Sequence, residues 1–188
     1  MKLYKIYSRA IGLLFALSLL CVGCENEDIL DINDLEISPS NPESVIIVEP
    51  DDGITSVNAL TRAINENGDA TYILRRDGVY YMEGKNVFKH NVVIKAENGS
   101  GKMPIIQPIC DAQGALNADM IRLEGSATFE NIYIIGKDAA TGNLMQRLFR
   151  IDESNVRLKF DHCFIDHCRN FCIRTDNVNN KIYLNNST

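Results

Sequence analysis

Three arginines carry the most chemistry on offer in this sequence. Arg122 sits in Ile121-Arg122-Leu123-Glu124, Arg150 in Phe149-Arg150-Ile151-Asp152 and Arg174 in Ile173-Arg174-Thr175-Asp176. Each phrase is an apolar residue, an arginine, an apolar or β-branched residue and an acid, and the arginines are 28 and 24 residues apart. A guanidinium fork fits a carboxylate bidentately. A row of such forks therefore suits an anionic polysaccharide, with Glu124, Asp152 and Asp176 left for sugar hydroxyls or a calcium ion. Elimination on a uronic acid needs a group that neutralises the carboxylate, a base and an acid. Arg150 or Arg174 could serve as neutraliser or base, and Asp152 or Asp176 as calcium ligand. The plainer reading is a salt-bridge ladder on a strand face, where each exposed pair contributes about 0–1 kcal/mol. Threefold recurrence favours the ladder, because a catalytic site needs one unusual copy. No catalytic residue is assigned.

A second cluster holds soft ligands. Asp161-His162-Cys163 and Asp166-His167-Cys168 repeat five residues apart, with Cys172 beyond. Zinc sites usually pair two close ligands with a second, distant pair. Here every candidate lies between His162 and Cys172, and a strand followed by a turn sends them to different faces. No metal site is read from them. Cys110, Cys163, Cys168 and Cys172 read instead as small apolar residues or as one disulfide, with three complete pairings open.

What positions these residues is a repeat. A second phrase follows each arginine phrase: Phe129-Glu130-Asn131-Ile132-Tyr133-Ile134, Phe160-Asp161-His162-Cys163-Phe164-Ile165 and Leu184-Asn185-Asn186-Ser187-Thr188. A period of this length marks a solenoid. Both phrases alternate with period two, so both read as strands, two per repeat, with little room for a helix. The expected fold is all-β, a right-handed parallel β-helix. Alternation turns Ile121 and Leu123 inward and Arg122 and Glu124 outward. Arg122, Arg150 and Arg174 should then form one exposed row beside a row of acids. Asn131, His162 and Asn186 share one repeat position and read as a structural bend ladder, with stacked side chains partnering the turn backbone. Residues 110–119 and 136–146 break the regularity and read as loops that wall a cleft.

Earlier in the chain, Val45-Ile46-Ile47-Val48 reads as a strand. Thr55 or Ser56 should cap a helix with Val57, Leu60 and Ile64 on its apolar face and Gly68 at its end. Such a helix would cover the first coil. Strands at Thr71–Leu74, Val79–Tyr81, Val92–Ile94 and Ile105–Ile106 follow, with a turn at Asp77-Gly78.

The N-terminus is a secretory signal. Lys2, Lys5 and Arg9 precede an apolar run, Ile11 to Val22, that is too short to span a bilayer. Leu20-Cys21-Val22-Gly23-Cys24 resembles a bacterial lipobox, departing from it at Cys21, and implies lipidation at Cys24. Glu25-Asn26-Glu27-Asp28 resembles the export signal of surface lipoproteins in polysaccharide-foraging bacteria. The expected plan is a lipoprotein signal peptide at 1–23, a lipidated cysteine and acidic tether at 24–44, and a β-helix domain at 45–188. The expected location is the outer membrane, lipid-anchored and facing outward. Asp31, Asn33 and Asp34 lack the glycine and the bidentate glutamate of a calcium loop. The net charge of −6 becomes −9 once residues 1–23 are removed, which disfavours nucleic acid as a partner. Tryptophan is absent, which disfavours a Trp sugar platform.

From residue 50 onward, a helix is followed by Tyr-Ile-Leu, Asp-Gly-Val-Tyr-Tyr, Val-Val-Ile-Lys-Ala-Glu-Asn-Gly, Pro-Ile-Ile and Thr-Phe-Glu-Asn-Ile-Tyr-Ile-Ile-Gly. This series resembles the opening coils of the pectate-lyase-like superfamily, in its chondroitinase-B and alginate-lyase branch. The resemblance implies a β-helix, with catalytic residues on later central coils. The chain stops within the third copy of the second phrase, so it reads as the N-terminal part of a longer protein. The expected function is binding or degradation of acidic polysaccharide at the cell surface, with the chain as it stands inactive. The alternative is a non-catalytic glycan-binding or structural module. No cofactor is certain, and calcium is the one that the acids would suit.

Overall fold

A computed structural model of the protein describes residues 44–188; the signal segment, Cys24 and the tether up to residue 43 lie outside the described residues. Strand β1 (Val45–Val48) is followed by helix α1 (Ala59–Asn67). One coil is then β2 (Ala70–Leu74), β3 (Val79–Glu83) and β4 (Asn86–Phe88). The next is β5 (Val92–Ala96), β6 (Ile105–Ile109) and β7 (Asp119–Leu123). After it come β8 (Ala127–Glu130), β9 (Tyr133–Ile135) and β10 (Arg147–Ile151), then β11 (Arg157–Asp161), β12 (Phe164–Asp166) and β13 (Phe171–Thr175). Strand β14 (Lys181–Asn185) opens a further turn.

The strands stack into three parallel sheets, ordered β1-β2-β5-β8-β11-β14, β3-β6-β9-β12 and β4-β7-β10-β13. This is a parallel β-helix. Each coil visits three sheets, where the sequence reading gave two strands per repeat. The extra strand comes from the bend. Asn131 and His162 adopt φ of 57° and 51°, which ends one strand and starts another in the next sheet. The phrase around Asn131 is therefore β8 and β9 with a left-handed residue between them. The short β4 was also missed, because Asn86-Val87-Phe88 is too brief to show alternation.

Register stacks like on like. Tyr72 pairs with Ile94, Ile94 with Phe129, and Phe129 with Phe160 along the first sheet. These four side chains are fully buried. The rings of Phe129 and Phe160 stack at 5.5 Å, and Phe149 of the third sheet meets them edge-on at 5.4 and 5.3 Å. Burying one such side chain contributes roughly 1.5–3 kcal/mol, so this column binds four coils together.

Helix α1 packs Leu60 and Ile64 into the same core. Its start differs from the expectation: Thr55 and Ser56 do not cap it. The N-cap residue is Asn58, whose side chain makes no capping bond. Asn58 Oδ1 instead accepts from Glu83 N at 2.8 Å, tying the helix to β3. The first-turn donor of Ala59 is met by Asp51 Oδ1 at 3.1 Å. Thr55 and Ser56 donate their amides to Asp52 Oδ1 at 2.7 and 2.8 Å. The Thr55 hydroxyl, with backbone donors, holds the Asp52 carboxyl well below the usual range. Gly68 ends the helix as expected, at φ 72°.

Candidate functional site

The register of the third sheet puts Arg122, Arg150 and Arg174 in one row, each directly across from the next. Alternation sends them outward, with side chains 27%, 31% and 42% exposed. Stacked guanidinium groups repel unless acids intervene. Asp152 accepts from Arg122 Nη1 at 3.3 Å and lies 2.6 Å from Arg150 Nε. Asp176 lies 2.9 Å from Arg174 Nη2 and 4.0 Å from Arg150 Nη2. Each of these acids thus bridges the arginine of its own coil and that of the coil before.

Glu124 does not join this pattern. Its backbone N–H donates to the Phe88 carbonyl at 2.9 Å, and among the described residues its carboxylate meets no arginine. Asp119 does its work instead. It is fully buried, sits 3.0 Å from Arg122 Nη2 and is ion-paired to Arg147 of the next coil. Asp119 and Arg147 are register partners. Sequence reading missed both, although they are 28 residues apart, the spacing of Arg122 and Arg150.

Calcium does not fit here. Asp119, Asp152 and Asp176 are already engaged by guanidinium groups, whose charge opposes a bound cation, and Glu124 stands apart from them. Among the described residues, no three of His, Cys, Asp and Glu converge in the manner of a metal site.

The connections that lead into β7, β10 and β13 all leave the second sheet for the third, so they stack along one corner of the rod. They comprise residues 110–118, 136–146 and 167–170, and the first two match the expected loops. Between them lies a cleft of about 550 Å3, lined by residues that include Asn117, Asn143, Leu144, Gln146 and Arg169. Main-chain bonds lace its walls together. Arg169 N donates to the Met145 carbonyl at 2.8 Å, Asn170 N to Gln146 at 3.1 Å, and Arg147 N to Ala118 at 3.1 Å. Gly136 is required at the root of the second loop, since any side chain there would run into the His167 carbonyl and Leu148.

Asp138 organises the second loop from a fully buried position. Its carboxylate accepts from the Thr141 hydroxyl at 2.6 Å and from Cys110 N at 3.0 Å, which joins the first two loops. Burial opposes its charge, yet the Thr141 hydroxyl and several backbone donors hold its carboxyl below the usual range. Asn117 is likewise committed, to the Gly84 carbonyl at 2.9 Å and to Ala118 N at 2.8 Å. Arg169 differs: it is exposed, and among the described residues no carboxylate pairs with it. The Asn143 and Gln146 amides also lack side-chain partners among the described residues. The cleft therefore presents one free cation and two free amides, with no carboxylate, His or Lys in its lining. Arg169 gave no signal in the sequence, because it occurs once and outside the repeating phrases.

The three bend residues share a backbone role. Asn131, His162 and Asn186 all have φ between 47° and 57°. Asn131 N donates to the Asp161 carbonyl at 2.9 Å, and His162 N to Asn185 at 3.0 Å. The expected stack of side chains is absent: all three are exposed, and among the described residues none bonds another of the three. Left-handed backbone, which Asn and His tolerate well, explains the recurrence. Side-chain bonding between coils falls one residue earlier, where Asn185 Nδ2 donates to Asp161 Oδ1 at 2.8 Å.

All four cysteines of residues 44–188 are free thiols. Cys163 is buried, which pushes its thiol up to about 11.

A separate groove of about 640 Å3 runs over the second sheet, with Met103, Ile105, Tyr133 and Phe164 in its lining. The Tyr133 and Phe164 rings meet edge-on at 6.4 Å.

A solved structure of similar architecture is that of the PL6-family alginate lyase AlyGC, in an arginine-to-alanine mutant. The two agree with a TM-score of 0.55 at 20% sequence identity, over 77% of this chain and 19% of the lyase. The chain thus spans about a fifth of that enzyme's length, and the likeness is one of fold. No protein-family model matches the chain, and no curated protein does.

Proposed function

We propose that this chain is a cell-surface lipoprotein, anchored through Cys24 at the outer membrane, whose β-helix grips acidic polysaccharide in the cleft around Arg169. The observation that carries this reading is the unpaired guanidinium of Arg169 beside two uncommitted amides. A planar fork suits a uronate carboxylate, and amides suit sugar hydroxyls as donors and acceptors. Arg122, Arg150 and Arg174 already share Asp119, Asp152 and Asp176, so they serve first to hold the third sheet together beneath the site. A polysaccharide long enough to leave the cleft would meet them next.

Binding without cleavage is the reading that the cleft chemistry favours, because its lining supplies a neutralising cation but no carboxylate, histidine or lysine for proton transfer. Lyase activity is the second reading, supported by the alginate-lyase fold neighbour. Both are tested together by affinity gel electrophoresis and ultraviolet absorbance of unsaturated uronate. The full chain would be run on alginate, pectate and chondroitin, against a neutral glucan, with and without calcium. Retardation by an acidic glycan, with no absorbance gain, is the expected result. Equal mobility in all gels would overturn the binding reading, and a rising absorbance would replace it with catalysis.

A further inference from the structure

We propose that Cys168 and Cys172 are a redox-active pair that closes to a disulfide across the turn between β12 and β13, clamping Arg169 in the wall of the cleft. The two Sγ atoms lie 2.9 Å apart. A small rotation about the side-chain bonds brings them to the roughly 2.05 Å of a covalent S–S bond. Both residues are half-buried, so a small oxidant can reach the pair.

The other two thiols have different partners. Cys110 Sγ, in the first loop, is 3.8 Å from the Thr141 hydroxyl of the second. Cys163 Sγ donates to the Phe129 carbonyl at 3.3 Å within the core. Of the pairings that the sequence leaves open, one has its sulfurs within reach.

The chemistry balances with an external disulfide as oxidant. The Cys168 thiolate attacks one sulfur of that disulfide; its S–S bond breaks, and the leaving half departs as a thiolate and takes a proton. Cys172 then gives its proton to water and attacks Cys168 Sγ. The new S–S bond forms, and the second half of the oxidant leaves as a thiol. Two electrons pass from the cysteine pair to the oxidant, which ends as two thiols. Burial and the contact with Cys168 push the Cys172 thiol up to about 11.

The bond would close a ring that contains Arg169. This turn starts at His167, whose φ is 58°, and rests on the neighbouring loop through the Arg169 and Asn170 amides. Closing the ring removes alternative conformations of the turn and keeps Arg169 at the cleft. Disulfide closure and the clamped turn are independent of polysaccharide binding.

The full chain, purified without reductant, is incubated with oxidised glutathione, denatured, alkylated and mapped by mass spectrometry. The expected result is a Cys168–Cys172 cross-linked peptide, two hydrogens lighter than its reduced form, with Cys110 and Cys163 alkylated. Full alkylation of Cys168 and Cys172, a bond from either to another cysteine, or a stable glutathione adduct on Cys168 would each overturn the proposal. Cys172→Ser should trap that adduct instead. Amide exchange over residues 168–171 should slow on oxidation of the wild-type chain, and unchanged exchange would overturn the clamp.

Discussion

Asp119 and Arg147 face each other across neighbouring coils, at the first register position of β7 and β10. The aspartate is completely buried, and the arginine side chain is 13% exposed. Arg122 reaches back to the same carboxylate at 3.0 Å. This buried acid, with a cation on either side, starts a zigzag that continues through Asp152, Arg150, Asp176 and Arg174. Exposure rises from Asp119 to Asp176 among its acids and from Arg147 to Arg174 among its arginines, so its members should differ in energetic weight.

Asp119→Asn should destabilise the fold by about 3–5 kcal/mol, because it leaves a nearly buried guanidinium without its counter-charge. Arg174→Ala, at the exposed end, should cost about 0–1 kcal/mol. Urea denaturation of the two variants checks the contrast, and equal costs would contradict the graded ladder.

Arg169→Ala should weaken acidic-polysaccharide binding about 10- to 100-fold, the loss of a charged hydrogen bond worth roughly 1.5–3 kcal/mol. Its urea midpoint should match that of the wild type, since the side chain is exposed and unpaired. Affinity electrophoresis on a graded series of gels reads the first effect.

Asp138 links stability to acid. Its folded carboxyl lies below the unfolded value of about 4. The stabilisation is therefore fully present above that pH and is lost as pH falls through the folded value. Asp138→Asn should be less stable than wild type by about 1–3 kcal/mol at pH 7. That gap should narrow on acidification below pH 4 (denaturation at stepped pH measures it).

Asn131→Val should be less stable than Asn131→Gly by about 1–2 kcal/mol, the cost of forcing a left-handed backbone on a residue that resists it. If side-chain bonding governed the bend, both variants would lose it alike and melt together. Thermal melts of both variants distinguish these outcomes.

Phe160→Ala should cost about 3–5 kcal/mol, since its ring contacts both Phe129 and Phe149. Chemical denaturation would show it. A small loss would mean that the coils are not held by this column.

Alternation and period in the sequence were enough to determine a parallel β-helix, the outward row of Arg122, Arg150 and Arg174, and the two loops beside it. These follow from local rules. A side chain two residues along a strand faces the same way, and a repeat stacked on itself brings equal positions together. Tertiary structure decided the rest. It split each long phrase at Asn131 and His162, because φ at one residue sets where a strand turns. It put Asp119 in the role expected of Glu124, because a carboxylate three residues before Arg122 reached the guanidinium from the buried side. It gathered Arg169, Asn143 and Gln146 around one cleft, because three connections from different coils share a corner of the rod. Such neighbours are set by how many residues each coil inserts, and stacking alone turns that count into proximity.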